Sequence, residues 1–399
     1  MHEGREVKGF EEPKVVRGNH PSHEITLSTT PVFCLGTKIP DVLLVLSLSR
    51  FDFSLVNLSA AAAQLLIFSA NGVRYVVRHG PAVAPARPLA FESFLYLKPA
   101  HLALQRASGE HLAFYLEDEQ QQLTVAQLHV FQDGLVNNAT AWSPYQAPFG
   151  GVQMAAGLPV AALHAYLAAV QAALVTAGVR RVRLRAHPFA YDPAGSARLA
   201  HALSQLGYRV VLAELNNHLP LDEAFEARLH PSERRRLAKC RRHGFHFEQE
   251  PLFFLPKAYE FLRRCREEKG QHLSLSEERL TELFRVFPNN HFLFSVRDGK
   301  GEWAALTVAI QVNERVLYNF YPASPLAYNA FSPVVLLNEG LHAFGRASGL
   351  HLLDLGTSSL PEGLNQSLLQ FKRHLGGILS LKLTFEWTAA EPPLPSDLA

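Results

Sequence analysis

Cysteine, methionine and tryptophan are scarce in this 399-residue chain, at three, two and three residues. Cys34, Cys240 and Cys265 lie far apart and form no C-x-x-C pair. That excludes a disulfide scaffold and a paired-cysteine zinc site, and it points to a reducing compartment, the cytoplasm. An excess of charge of one sign is also missing. The 38 Lys and Arg against 36 Asp and Glu leave a formal net charge of +2, so no global field draws the protein to nucleic acid or to anionic membranes, and any basic surface has to be local. Long apolar runs are absent too. Val42 to Phe68 is broken by Arg50, Asp52, Asn57 and Gln64, and Leu158 to Val179 carries His164, Tyr166 and Gln171; neither reads as a membrane span. Residues 1–40 are charged, contain proline and have no leading apolar core, so they read as a poorly specified leader rather than a secretory signal. There is no HExxH, GxSxG, GxGxxG or Walker pattern, and the 19 histidines form no ligand cluster, so no metal is expected.

What is present describes an ordered globular protein: 48% hydrophobic and 10% aromatic residues, with a length that suggests more than one domain. From Phe91 to Val136 the segments FLYLKP, HLALQ, HLAFYLED and LTVAQLHVF predict a meander of short strands. A loop of Pro, Gly and aromatics (Trp142–Gly151) precedes an amphipathic helix from about Leu158 to Ala177, closed by Gly178. A strand over Val179–Arg185, a helix over Ala194–Leu206 and a strand over Tyr208–Leu212 follow. The second half repeats this plan. Helices are expected over Phe225–His243, Pro256–Lys269 and Ser276–Val286, then a meander (HFLFSVRD, EWAALTVAIQV, ERVLYNFYP). A helix over Val334–Ser348 and strands over Leu352–Leu355 and Ile378–Trp387 complete it. A shared layout repeated at about half the chain predicts a duplicated α+β domain, with units at 41–220 and 221–399.

Two stretches carry candidate chemistry. The run Arg234–Arg242 places Leu237 and Cys240 on one helical stripe and Arg235, Lys239 and Arg242 opposite it. It is either an ordinary solvated face or an anion-binding face for the phosphates of a nucleotide-linked substrate, a tRNA or a coenzyme. Arg236 falls within the apolar stripe, so it needs a partner there or faces a ligand. The second stretch is Tyr318–Gly377. A buried strand ends at Asp354-Leu355-Gly356, where a polar side chain either serves a site or braces the following loop. An irregular loop is expected to lead to Phe371-Lys372, where a cation beside an apolar residue would stabilise an acyl-transfer oxyanion, the alternative being a surface lysine.

The order of these pieces resembles the Fem family of peptidoglycan aminoacyltransferases and its bacterial relatives with an N-acetyltransferase-like fold. The matching residues are Pro148-Phe149-Gly150-Gly151, Arg185 with Pro188 and Tyr191, and Gly207-Tyr208. Arg235 to Gly244, Ser332-Pro333, Asp354-Leu355-Gly356, and Phe371-Lys372 with Gly376-Gly377 complete the set, which covers roughly Phe91 to Trp387. The resemblance implies two tandem acyl-CoA N-acyltransferase (GNAT)-like domains, each a mixed, mainly antiparallel sheet flanked by helices, with the site in the second. It implies transfer of an acyl or aminoacyl group from an activated donor, acyl-CoA or aminoacyl-tRNA, to an amine acceptor in cell-envelope metabolism. Lys372 and Phe371 would line the site, Asp354 or Tyr321 would orient or deprotonate the amine, and Arg235, Arg236 and Lys239 would hold phosphates, with Ser332 and Gly356 also contacting substrate. Two departures stand beside it. Gly244 leads directly into FHFEQEPLFF, leaving no room for the helical hairpin of some members, and no Q/R-x-x-G-x-G/A coenzyme loop is present. The rival reading is a catalytically inactive binding or scaffold protein on the same fold.

Overall fold

The computed structural model describes residues 45–48, 51–56, 64–81, 83–105, 109–134, 139–360 and 363–389. The expected leader at 1–40 and Cys34 lie outside them. The first half runs β1 (Val45–Leu48), β2 (Phe51–Val56), β3 (Gln64–Ala70), β4 (Val73–Pro81), α1 (Pro99–Leu102), β5 (His111–Asp118), β6 (Leu123–Asp133), β7 (Ala139–Ser143), β8 (Gln153–Met154), α2 (Val160–Thr176), β9 (Val179–Arg185), α3 (Pro193–Gln205) and β10 (Arg209–Pro220). The second half runs α4 (Pro231–Arg242), β11 (His246–Gln249), α5 (Leu255–Glu267), α6 (Glu277–Val286), β12 (His291–Arg297), β13 (Trp303–Gln311), β14 (Val316–Asn319), α7 (Val334–Ala347), β15 (Leu352–Thr357), β16 (Ser359–Leu360), β17 (Gly363–Leu364), α8 (Gln366–His374) and β18 (Ile378–Thr388). No helix among the described residues is long and apolar enough to cross a membrane.

Among the described residues sixteen strands form one sheet, in the order β1 to β7, then β9-β18-β10-β15-β14-β13-β12-β11, with β8 paired to β6. Each half contributes an antiparallel meander that ends in one parallel pair, β7 with β9 and β14 with β15. Parallel neighbours need a crossover, and α2 and α7 supply the two. The halves then exchange their last strands. β18 pairs with β9, β10 pairs with β15, and β10 and β18 pair with each other across the middle.

Several segments differ from the expected pattern for identifiable reasons. FLYLKP and HLALQ form a 3-10 turn at Leu95–Leu97 and α1 rather than strands. Pro99 opens α1, where its missing N–H costs nothing, and Leu95, Tyr96 and Leu97 are buried against the second half. α2 is buried over most of its circumference rather than on one stripe. β10 does not stop at Leu212 but continues to Pro220, because β18 and β15 pair its backbone on both sides. Phe371-Lys372 lies on a helix, α8, capped by the Asn365 side chain accepting from Leu368 N. One apolar core joins Phe94–Leu97, Phe149 and Tyr191 of the first half to α5, α6 and β13 of the second.

Candidate active site

Where the exchanged strands meet, charged side chains are buried together. Asp354 on β15 is 2% exposed. Its Oδ2 accepts from the Tyr191 hydroxyl at 2.6 Å, and its Oδ1 accepts from Asn216 Nδ2 at 2.8 Å and from the Gly356 N–H at 2.7 Å. Tyr191 belongs to the turn after β9, Asn216 to β10 and Gly356 to β15 itself, so both halves hold this one carboxylate. Gly356 takes a φ of 75°, and a Cβ there would stand 3.4 Å from the Tyr318 ring. Glycine thus permits both the left-handed turn and the close approach of the tyrosine.

Lys372, 6% exposed on α8, donates from Nζ to the carbonyls of Gly356 at 2.9 Å and Thr357 at 2.7 Å. An ammonium has three donors, so one N–H remains for a ligand. Burial pushes its pKa down to about 8, with the Asp354 charge opposing the fall. Lys382 on β18 meets Glu214 on β10 at 3.8 Å; burial lowers its pKa while Glu214 raises it. The hydroxyls of Tyr191, Tyr96 and Tyr318 are all pushed up, first by burial and then by nearby charge, Asp354 included. Among the described residues Tyr96 OH, Thr384 Oγ1 and Ser380 Oγ are buried without a hydrogen-bond partner, which costs free energy unless a ligand or water completes them.

The sequence-derived candidates therefore separate. Asp354, Gly356 and Lys372 come together. Phe371 turns instead to the apolar cluster around α7. Tyr321 is buried, but its hydroxyl is engaged by Ser274 and by the Leu275 N–H. On α4, Arg236 is exposed rather than inside the apolar stripe, and it pairs with buried Glu233 at 2.8 Å. Lys239 donates to the Ala330 carbonyl and lies 4.4 Å from the Phe331 ring, next to Ser332. Arg234 donates to the Glu226 carbonyl, and Arg241 binds Glu226 and Glu339. Arg235 is exposed. Among the described residues no hydrogen bond or ion pair joins Arg235, Arg236, Lys239 or Ser332 to Asp354 or Lys372. The link from α4 to the site is indirect, through the His230 N–H donating to the His374 carbonyl at the end of α8.

Sequence reasoning missed Asn216, Glu214, Tyr96, Tyr318, Lys382 and Thr384 as site residues, and it gave Tyr191 no role. A signal was available for some of them. Glu214, Asn216 and His218 take every second position along one strand, and Ser380, Lys382 and Thr384 along another, with apolar residues between them except at Asn217. Polar side chains at period two in strands central to a sheet mark a polar face. Among the described residues no group of His, Cys, Asp and Glu is arranged to hold a metal.

No protein-family model matches the chain, and no curated protein matches it in sequence. Solved structures do. FemX is similar at TM-score 0.56 and 12% identity, over 76% of this chain and 93% of FemX. A conserved protein of unknown function from Bacteroides thetaiotaomicron VPI-5482 is similar at TM-score 0.50 and 10% identity, over 76% and 95% of the two chains. A tandem GNAT protein from the clavulanic acid biosynthesis pathway is similar at TM-score 0.42 and 13% identity, over 71% and 84%. The fold is thus α+β and shared with FemX, a mixed, mainly antiparallel sheet flanked by helices and built from two halves of like topology, in line with the Fem-type resemblance.

Proposed function

We propose that the protein is an acyltransferase that moves an acyl or aminoacyl group from an activated ester or thioester to an amine, at the seam around Asp354 and Lys372. The observation that carries this reading is the buried Lys372 ammonium, pinned by two carbonyls and left with one free N–H, on a fold shared with FemX. When the amine nitrogen bonds to the acyl carbon, negative charge develops on the carbonyl oxygen. The free N–H of Lys372 stabilises that charge in a site where water is excluded. The bond to the donor oxygen or sulfur then breaks, and the leaving group takes the amine proton. Asp354 accepts three hydrogen bonds, so both of its carboxylate oxygens are engaged. Its role is to hold Tyr191 and Asn216 in place and to keep Lys372 charged. Holding donor and amine together supplies the rest of the acceleration.

The resemblance to the Fem family favours an aminoacyl donor and a cell-envelope acceptor. The test is a transfer assay with aminoacyl-tRNA and acyl-CoA donors against amine acceptors, including UDP-linked peptidoglycan precursors, on the parent and on Lys372→Ala. Turnover with one donor class, lost in the variant, is the expected result. Absence of binding to every donor, or a variant equal to the parent, would favour the inactive scaffold instead.

A further inference from the structure

The proposed chemistry uses only the β15 side of the seam. Toward β9 the same face of the sheet carries further polar side chains. Asn216 stands opposite Ser380, Glu214 opposite Lys382, and Arg185 opposite Thr384. Residues directly opposite in antiparallel strands project from one side of the sheet, so these pairs form a track. At its outer end Arg185 is exposed while Thr384 opposite it is 1% exposed; the side chains of Lys382 and Glu214 keep 13% and 16%, and Asp354 at the inner end is 2% exposed. The track therefore runs from solvent to the buried carboxylate.

Two of its buried hydroxyls lack partners among the described residues. Thr384 is 1% exposed, yet its hydroxyl has no hydrogen-bond partner, and Ser380 Oγ is in the same position. Among the described residues the Arg185 side chain makes no hydrogen bond or ion pair, and Lys382 reaches Glu214 only at 3.8 Å. We infer that Arg185, Lys382 and Thr384 form a carboxylate-binding subsite at the mouth of the seam, holding the far end of the amine acceptor while its amine lies beside Asp354. A guanidinium presents paired N–H groups that match both carboxylate oxygens; Lys382 adds a second charge, and Thr384 adds a hydroxyl donor. Glu214 beside Lys382 disfavours a doubly charged phosphate in the same place, because the second negative charge meets the Glu214 carboxylate. Thr384 lies four residues along β18 from Ser380, which faces the Asn216 bound to Asp354. That is about 13 Å at about 3.3 Å per residue, before the side chains reach inward. The acceptor thus carries its amine and carboxylate several atoms apart, unlike an α-amino acid.

This subsite depends on the transferase reading only for what the bound molecule does next, so its test needs no turnover. The full chain is titrated calorimetrically with aminocaproate, caproate, hexylamine and inorganic phosphate. Both carboxylates are expected to bind, with hexylamine and phosphate at least tenfold weaker. Arg185→Gln, on an exposed side chain, and Thr384→Val, which preserves shape, each weaken the carboxylates about tenfold, while Lys372→Ala keeps caproate binding. Tighter phosphate, hexylamine equal to aminocaproate, no carboxylate binding by the parent, or unchanged affinity in both subsite variants overturns the assignment. Loss of transferase activity as a reading would leave these titrations standing, and failed titrations would leave the transfer assay standing.

Discussion

The two halves share a plan and differ in what they bury. Each crosses from a meander strand through a helix to a parallel neighbour, β7-α2-β9 and β14-α7-β15, and each adds a capped helix and a final exchanged strand. The caps match: the Asp192 side chain accepts from Gly195 N in α3, and the Asn365 side chain accepts from Leu368 N in α8. Counting seven residues on from each cap gives Leu199 in α3 and Lys372 in α8. Leu199 is 3% exposed in the first-half core, and Lys372 is 6% exposed against the Gly356 and Thr357 carbonyls. Equivalent burial thus holds an aliphatic side chain in one half and a charge in the other. Burying a charge is unfavourable unless it is paired or hydrogen-bonded, so the second half gives up stability for a site. The first half supplies packing and lends that site Tyr191 and Arg185.

The sharpest way to break this comparison is to truncate both positions. Lys372→Ala should lower the rate of acyl transfer by about 10²–10³, the cost of removing one stabiliser of a developing oxyanion. Leu199→Ala should destabilise the fold by about 2–5 kcal/mol through a core cavity while leaving the rate per folded molecule close to that of the parent. Denaturant titration together with a transfer assay on both variants checks the pair. Equal stability losses and equal rates would mean that the two helices do the same work. A smaller effect is expected from Tyr191→Phe. It leaves Asp354 Oδ2 without its 2.6 Å donor and should cost about 1–3 kcal/mol of stability, measurable in the same titration.

The duplicated layout was legible because helices and strands announce their own periods. α6, α7 and β18 lie close to where periodicity and punctuation put them. Asp354 and Lys372 were legible as a polar residue ending an apolar strand and a cation beside an aromatic. What escaped depends on neighbours rather than on local pattern. Periodicity says which faces a strand has but not which strands flank it, so the exchange of β10 and β18 left no local trace. Asn216 lay beyond the strand expected over Tyr208–Leu212, and its partner, Asp354, is 138 residues away. Tyr191 likewise reaches Asp354 across 163 residues. α8 was hidden by the flanking Pro361, Gly363, Gly376 and Gly377, which read as loop, while the cap at Asn365 carried the helix signal.

The buried charge also sets a pH dependence that the first half lacks. The folded-state pKa of Lys372, about 8, is below the ordinary lysine value of 10.5. The unfolded chain therefore binds more protons between those values, and stability gains from this group as pH rises through that window. The charged lysine costs about 3 kcal/mol below pH about 8. The stability of Lys372→Met relative to the parent should fall by about that amount between pH 7 and 10.5, as followed by denaturant unfolding. Leu199→Met should show no such trend. Transfer by the parent should decline above about pH 8 as the ammonium deprotonates, and Lys372→Arg should lose that alkaline limb.

The smallest effect is expected on α4. Arg236, Lys239 and Arg241 are already held by Glu233, the Ala330 carbonyl, and Glu226 with Glu339, while Arg235 projects from an exposed position. An exposed side chain without a special contact changes stability by less than about 0.5 kcal/mol when replaced, so Arg235→Ala should unfold at the same denaturant concentration as the parent. Its only expected consequence is weaker binding of a phosphate-bearing donor, and the slope of affinity against salt should shrink by about one. Donor titrations at two or more salt concentrations check this. An unchanged slope would make the helix an ordinary solvated face and would leave Arg185, on the other half, as the cation through which a substrate anion enters the seam.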